Sequence, residues 1–483
     1  MHKFIRWAAM FVLLPISSTI HAQQNEEHGT GLLFESISTR SIPQQATLTT
    51  DSYRGLPTSV SLEAYCPTAG DQGELGTCVG FATAYSLRTI LYVKARREAG
   101  YTADPNAHIF SPSFVYEQIK SSDDVICKKG SYIADALELL QYAGVATLKT
   151  LPYQCGATIS NEALNEGAAF KILSYQKLFS SEELDLSYKI LLTKKALSEG
   201  NPCLLGFKTA KSFKGKVTDV WKQQPNDAEP TSINIGHAMC VVGYNDNKYG
   251  GAFRVLNSWG TGWGDKGFIW IPYSDFAKYA YQCYQVQGEK IKPQKTNDPV
   301  ALKPDIKGTI RFQQNTGEAM NVSLQPSTFA TGLPAYKMNT EYASGTRFRF
   351  YMNTSTDAYV YAFASDLSGT VNQIFPFEET ISPFLGKNST VAFPSETKVI
   401  RMDENKGTDY LLILYSKKPL DMKVLLQEMK QQQGNLLVKA KAALQSKLMS
   451  PALISYSADR VAFEQKAYTD ADILPVLIEI PHN

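Results

Sequence analysis

The sequence predicts an α+β domain followed by a smaller β-sandwich domain with a C-terminal helix, and three observations lead there. Helical runs come first and short β-prone segments follow them, instead of alternating with them, as a doubly wound sheet would require. Lys290 to Asp305, with Pro293, Pro299 and Pro304 among Lys, Gln and Asn, then breaks the pattern as a linker. Beyond it, aromatic-rich strands dominate. At 483 residues the chain is also too long for a single core.

The first residues carry a targeting signal. Lys3 and Arg6 precede an apolar run, Trp7 to Ile16, and Ala22 suits cleavage before Gln23, so residues 1–22 are expected to be a signal peptide and the chain to be exported, periplasmic or extracellular. The apolar run is too short to span a bilayer, and no integral membrane segment is expected in the mature chain. Residues 23–55 are polar and without periodicity, and are expected to be a loose N-terminal segment. With 48 Lys and Arg against 46 Asp and Glu, the net charge of +2 points away from nucleic acid and anionic membrane surfaces.

Within 56–289, Cys78 is followed by a run to Arg97 in which Phe81, Ala84, Leu87 and Leu91 recur at helical spacing, predicting a buried central helix. Ser111-Pro112-Ser113 opens a second helix, Phe114 to Ile119. Ser131 to Tyr142 and Leu186 to Leu197 supply two more. Strands are expected over Cys203 to Phe207, Ala238 to Tyr244, Gly251 to Leu256 and Gly267 to Ile271. In 306–483, Thr346 to Tyr351, Ala358 to Ala364, Thr390 to Phe393 and Tyr410 to Tyr415 read as strands. A helical stretch from Met422 to Met449, interrupted near Gln433-Gly434, and a final strand near Leu474 to Ile480 complete that domain.

The chemistry gathers around Asp71-Gln72-Gly73-Glu74-Leu75-Gly76-Thr77-Cys78. A thiol in the first turn of a helix meets free N–H groups and the positive end of the macrodipole, which favour its anion. Seven cysteines in an exported chain also leave at least one thiol unpaired. A lone Cys before an apolar run is more often a core residue, a single His is usually structural, and Asn before Ser and Gly usually forms a turn. Yet Gly236-His237-Ala238 opens one strand, and Asn257-Ser258-Trp259-Gly260 closes the next.

Taken together, Gln72, Cys78, Gly236-His237 and Asn257-Ser258-Trp259-Gly260 resemble the papain-like (C1-type) cysteine peptidase family. The likeness covers about Leu56 to Val286 and includes Ser111-Pro112-Ser113-Phe114, Cys127 to Gly130, Leu151-Pro152-Tyr153 and Gly243-Tyr244. It implies a two-lobe fold, helical and then β-barrel-like, and a hydrolase without cofactor or metal. In the roles so implied, Cys78 is the nucleophile, held as thiolate against an imidazolium at His237. Asn257 orients the ring and Trp259 shields that contact. Gln72 and the Cys78 N–H form the oxyanion hole, and Gly130 and Ser131 bind the substrate backbone.

Three departures from the family pattern matter. Leu75 replaces a cysteine that normally ties the loop to Cys127, which makes Cys155 the candidate partner. Val79 replaces a Trp. Lys128-Lys129 replaces Asn-Gly and suggests a more cationic non-prime side. The family's long inhibitory prosegment is also missing, so latency by such a segment is not expected.

The C-terminal domain resembles a bacterial accessory β-domain of unknown function, on Tyr359-Val360-Tyr361-Ala362-Phe363, Ile374-Phe375-Pro376 and Phe393-Pro394. No catalytic cluster is visible in it, and binding or positioning is its expected role. The resulting expectation is an exported cysteine endopeptidase acting on protein or peptide substrates. The alternatives are an acyl-transferase or peptide ligase on the same site, and a non-catalytic secreted binding protein.

Overall fold

The structure, a computed structural model, describes residues 28–34, 42–183, 185–294, 305–326, 332–365 and 369–483. The expected signal peptide, residues 1–22, and most of the expected linker lie outside the described residues.

Helix α1 starts at Cys78 and runs unbroken to Glu98, as Cys78–Gly80, a π-helical stretch Phe81–Arg88, and Thr89–Glu98. Its apolar face, with Val79, Ala84, Leu87 and Ile90 fully buried, forms one core with the sheet behind it. Helix α2 (Pro112–Ile119) is capped by Ser111, whose Oγ accepts from the Phe114 N–H at 3.2 Å. Helices α3 (Ile133–Tyr142) and α4 (Leu186–Ser198) complete the helical layer used below.

The strands of this region are β1 (Ser59–Ser61), β2 (Ile172–Phe179), β3 (Cys203–Phe207), β4 (His237–Asn245), β5 (Ala252–Leu256), β6 (Phe268–Pro272) and β7 (Ala280–Gly288). They form one antiparallel sheet in the order β2-β7-β3-β4-β5-β6, with β1 added to β4. Strands β3 to β6 match the apolar runs read from the sequence. Strands β2 and β7 were not expected. Their apolar residues alternate with Gln176, Gln282, Gln285 and Gln287, all buried, which obscures the strand signal.

The C-terminal region packs two sheets around a shared core of Phe312, Phe350, Val360, Ile413 and Val476. Helices Met422–Gln431 and Leu436–Leu444 cover the outer face of one sheet, against Tyr361, Phe363 and Leu412. The break between these helices falls at Gln433-Gly434, as the sequence predicts.

Residues 23–55 are not a loose lead-in where they are described. Residues 42–53 are wedged between the two regions, with Ile42, Ala46, Leu48 and Thr49 all buried. On one side, Pro43 and Gln45 pair with Lys177 at the edge of β2, at 2.9 Å each. On the other, Gln44 bonds Thr380 and Ser382 (2.7 and 2.8 Å), and Thr49 bonds Thr390 (2.8 Å). The segment lacks periodicity because its hydrogen bonds alternate between two partners, so no single face of it is apolar.

The two regions also meet directly. Glu199, at the C-terminal end of α4, is buried beside Lys195 (3.1 Å), and its carboxylate accepts from Gln285 Nε2 (2.7 Å) and Ser389 Oγ (3.1 Å). Lys195 Nζ donates in turn to the carbonyls of Lys387 and Asn388 at 2.9 and 3.2 Å. Burial pushes the Glu199 carboxyl up to about 7.

Candidate active site

The thiol of Cys78, in the first turn of α1, is fully buried. Leu75 leaves the preceding loop without a covalent tie, and hydrogen bonds hold it instead. Gly76 N–H donates to the Cys127 carbonyl (2.7 Å), Gln72 N–H to Ser258 (2.9 Å), and Tyr153 Oη to the Gln72 carbonyl (3.0 Å). Tyr153 Oη also meets Thr77 Oγ1 at 2.8 Å. Cys127 is joined to Cys155 by a disulfide, the pairing the missing cysteine leaves open.

His237 opens β4 and Asn257 follows β5. The two strands pair at Cys240 and Leu256, which sets the two side chains diagonally across adjacent strand ends. His237 Nε2 lies 2.6 Å from Asn257 Oδ1, while Nδ1 is buried with no hydrogen-bond partner. The imidazole stacks on Trp259 (ring centroids 4.5 Å apart, planes at 27°), which closes that side to solvent. Gln72 Oε1 accepts from Ser258 Oγ at 2.6 Å, which fixes the amide so that its NH2 faces the cleft. Gly130 takes φ +84°, a conformation open to glycine. Its N–H donates to Tyr116 Oη at 3.0 Å, and that hydroxyl donates to Asp124 at 2.6 Å.

The cleft is filled by the chain itself. Residues 28–34 cross it as an extended strand, making the contacts a bound peptide would make. Gly29 carbonyl accepts from Gln72 Nε2 (3.1 Å) and Trp259 Nε1 (3.0 Å). Leu32 and Gly236 exchange both backbone bonds, at 3.0 and 2.9 Å. Ser131 N–H donates to Gly31 (2.9 Å) and its carbonyl accepts from Leu33 (3.1 Å). Leu32 is fully buried, and His28 stacks on Trp259. A Cβ on Gly31 would collide with the carbonyl oxygen of Gly76, and one on Gly29 with that of Leu75, so both glycines are needed for this close approach. The long prosegment of the family is not what closes the site: the seven residues 28–34 do so, through backbone bonds, buried Leu32 and Phe34 packed on Tyr281.

This plug changes the charge state expected from the sequence. Burial pushes the Cys78 thiol up to about 11, although the N–H groups of Ala238, Gly31, Val79 and Cys78 itself pull it down. Burial pushes the His237 imidazole down to about 3, against the Asn257 hydrogen bond, with Lys214 and His28 adding to the fall. In the closed cleft both shifts favour the neutral thiol and the neutral imidazole, because burial takes from the charged forms the water that would solvate them. The cationic bias expected of Lys128 and Lys129 is also reduced, since they face Glu74 (3.4 Å) and Asp123 (2.5 Å).

The sequence reading missed a second constellation. In the C-terminal region His482 Nε2 lies 3.1 Å from Ser344 Oγ, and its Nδ1 3.5 Å from Asp409. The backbone N–H groups of Ser344, Gly345 and Thr346 are all given to carbonyls, of Asn483, Met402 and Ala343, so the local backbone has no donor left for an oxyanion. This trio pins the C-terminus to the sheet edge.

The chain is similar to known proteins in both of its regions. Residues 57–294 match the model of the papain family cysteine proteases, and residues 341–419 match a domain of unknown function, DUF4384. The uncharacterized peptidase C1-like protein L477 of Acanthamoeba polyphaga mimivirus is 29% identical over 215 residues, covering 42% of this chain and 63% of that protein. The cathepsin B-like CP3 of Giardia intestinalis is 25% identical over 206 residues, covering 42% of this chain and 64% of that protein. The chain thus spans a little under two thirds of the length of these curated relatives. Among solved structures, the cysteine protease xylellain from Xylella fastidiosa superposes with a TM-score of 0.45 at 23% identity, covering 55% of this chain and 97% of that one. Residues 57–294 of this chain belong to the papain family of cysteine proteases.

Proposed function

We propose that the chain is an exported cysteine endopeptidase whose reaction is carried by Cys78, His237, Asn257 and Gln72, in a state closed by residues 28–34. The observation that carries this reading is the 2.6 Å bond from His237 Nε2 to Asn257, which leaves Nδ1 unpartnered on the strand whose Ala238 N–H points at the Cys78 sulfur.

Once a substrate replaces the plug, Cys78 gives its proton to His237 Nδ1, and the sulfur adds to the scissile carbonyl carbon. The developing oxyanion takes hydrogen bonds from Gln72 Nε2 and the Cys78 N–H. Collapse breaks the C–N bond, His237 delivers the proton to the leaving amine, and a thioester remains. Water, deprotonated by His237, hydrolyses that ester and restores the thiol. Asn257 fixes the ring through Nε2, so that Nδ1 handles every proton. Gly130 and Ser131 hold the substrate backbone as they hold Gly31 and Leu33.

In the closed state the Gly31 N–H faces the sulfur, the Gly29 carbonyl occupies the Gln72 amide that serves the oxyanion, and the Gly31 carbonyl accepts from Ser131. Export is supported by the sequence of residues 1–22, and the C-terminal domain is read as a β-sandwich with a binding role. Replacing Cys78 by Ala should abolish peptide hydrolysis and labelling by a thiol-trapping epoxide, both measured after the plug is displaced by Leu32→Glu. Full activity in the doubly substituted chain would overturn the assignment.

A further inference from the structure

The plug is continuous with residues 42–53, and those residues are gripped mainly by the C-terminal domain. Leu48 and Ala46 are buried in that domain's core. Leu48 bridges to Val391, and Thr49 N–H donates to the Thr390 carbonyl at 2.8 Å. Ser52 Oγ accepts from the Thr390 N–H at 2.9 Å. The Thr50 N–H and hydroxyl both donate to Glu396 Oε2, at 2.9 and 3.0 Å. The protease side supplies the Lys177 backbone bonds and the Gln44 bond to the Leu178 carbonyl at a sheet edge. The stretch Lys387 to Thr390 that receives Thr49 is itself fixed by Lys195 and Glu199. The anchor and the domain contact thus share the stretch Lys387 to Thr390.

We propose that the accessory domain binds residues 42–53 as an added extended segment and thereby holds residues 28–34 in the cleft, so that access to Cys78 is governed from that domain. This inference rests on the reading of residues 28–34 as an inhibitory plug. It gives the domain of unknown function a partner of stated chemistry: an extended segment of its own chain with an apolar residue at Leu48 and hydroxyls at positions 49, 50 and 52.

The size of the effect follows from tether length. With the anchor in place, Ile42, the first buried residue of the anchor among the described residues, lies eight positions along the chain from Phe34. With it lost, the next fixed point is Pro57, whose carbonyl accepts from Tyr244 Oη at 2.7 Å, 23 residues from Phe34. The effective concentration of the plug falls roughly as the −3/2 power of that span, a loss of about fivefold.

The test is the rate at which iodoacetamide alkylates Cys78 in the full chain, read by mass spectrometry of the Cys78 peptide, a measurement that needs no peptidase activity. Leu48→Glu should raise the rate about fivefold. The exposed pair Thr50→Ala with Glu396→Ala, which spares the core should Leu48→Glu fail to fold, should raise it in the same direction by about twofold or more. Leu32→Glu, which attacks the plug and leaves the anchor alone, is the reference for an open cleft. If Leu32→Glu opens the site and neither anchor variant does, the accessory domain is not the holder and the inference fails while the plug reading stands. If Leu32→Glu itself leaves the rate unchanged, the plug reading falls and takes this inference with it.

Discussion

The two ends of the N-terminal segment are both held by backbone bonds but differ in what their side chains add. Residues 28–34 lie in the cleft through backbone bonds to Gln72, Ser131 and Gly236, with two glycines for close approach and one buried side chain, Leu32. Residues 42–53 add side-chain contacts to their backbone bonds: Leu48 lies in an apolar core, Thr50 Oγ1 donates to Glu396, and Ser52 Oγ accepts from the Thr390 N–H. Backbone bonds are available to any extended peptide, so a substrate can replace the plug bond for bond. Side-chain contacts are particular to this sequence, so the anchor does not exchange. A removable end and a retained end in one stretch of chain would make a reversible closure.

The largest expected effect comes from breaking the wall on which the plug lies. The Cys127–Cys155 disulfide closes a separation of 28 residues next to Gly130 and Ser131. Replacing both cysteines by Ser should lower stability by about 3 to 4 kcal/mol, measured by denaturant unfolding. An unchanged midpoint would mean that the hydrogen bonds around Tyr116 and Asp124 hold this wall alone. Next is the plug's one fully buried apolar side chain. Leu32→Ala should weaken closure by about 2 to 3 kcal/mol and speed Cys78 alkylation about thirtyfold or more, whereas the same truncation at exposed Val438 in the accessory helices should not. An equal response at both would remove the distinction drawn between the cleft and the rest of the surface.

Acid sharpens the comparison with a smaller effect. The His237 pKa is lowered in the closed cleft, to about 3 from the ordinary 6.5. A released cleft therefore binds a proton that the closed one refuses. Closure is most favoured between pH 6.5 and 9; it weakens as pH falls below 6.5, by up to about 1.4 kcal/mol for each unit down to 3, and also as pH rises above 9, where the released Cys78 loses a proton that the closed one keeps. Hydrogen-exchange protection of the Leu32 and Leu33 amides, corrected for intrinsic rates, should fall between pH 7 and 5 while that of Thr49 holds. Parallel loss at both ends would mean that plug and anchor open together. The anchor substitutions, at about fivefold for Leu48→Glu and about twofold or more for the Thr50 and Glu396 pair, are the smallest changes expected.

What the sequence disclosed and what it hid divide along the same line. Cys78, His237 and Asn257 stand out because their neighbours, the helix behind Cys78 and the apolar strands β4 and β5, carry strong periodic signals. Strands β2 and β7 stayed hidden because Gln176 and Gln285 pair inside the sheet (2.7 Å) and Gln285 reaches Glu199, placing polar residues where apolar ones are expected. The plug left almost no trace, since a strand held by its backbone needs no pattern of side chains. Its one signal was Gly29-Thr30-Gly31 followed by Leu32-Leu33-Phe34 in an otherwise polar stretch.

The neutral thiol of the closed cleft has a consequence outside proteolysis. Oxidants react with thiolates, and the slow step toward sulfenic and then irreversible sulfinic acid is set by thiolate character and exposure. A Cys78 thiol pushed up to about 11 and fully buried is in a poor state to be oxidised. In an oxidising space such as the one expected here, the strand across the cleft is also a preservative: it stores the sulfur in its least reactive form until a substrate needs it.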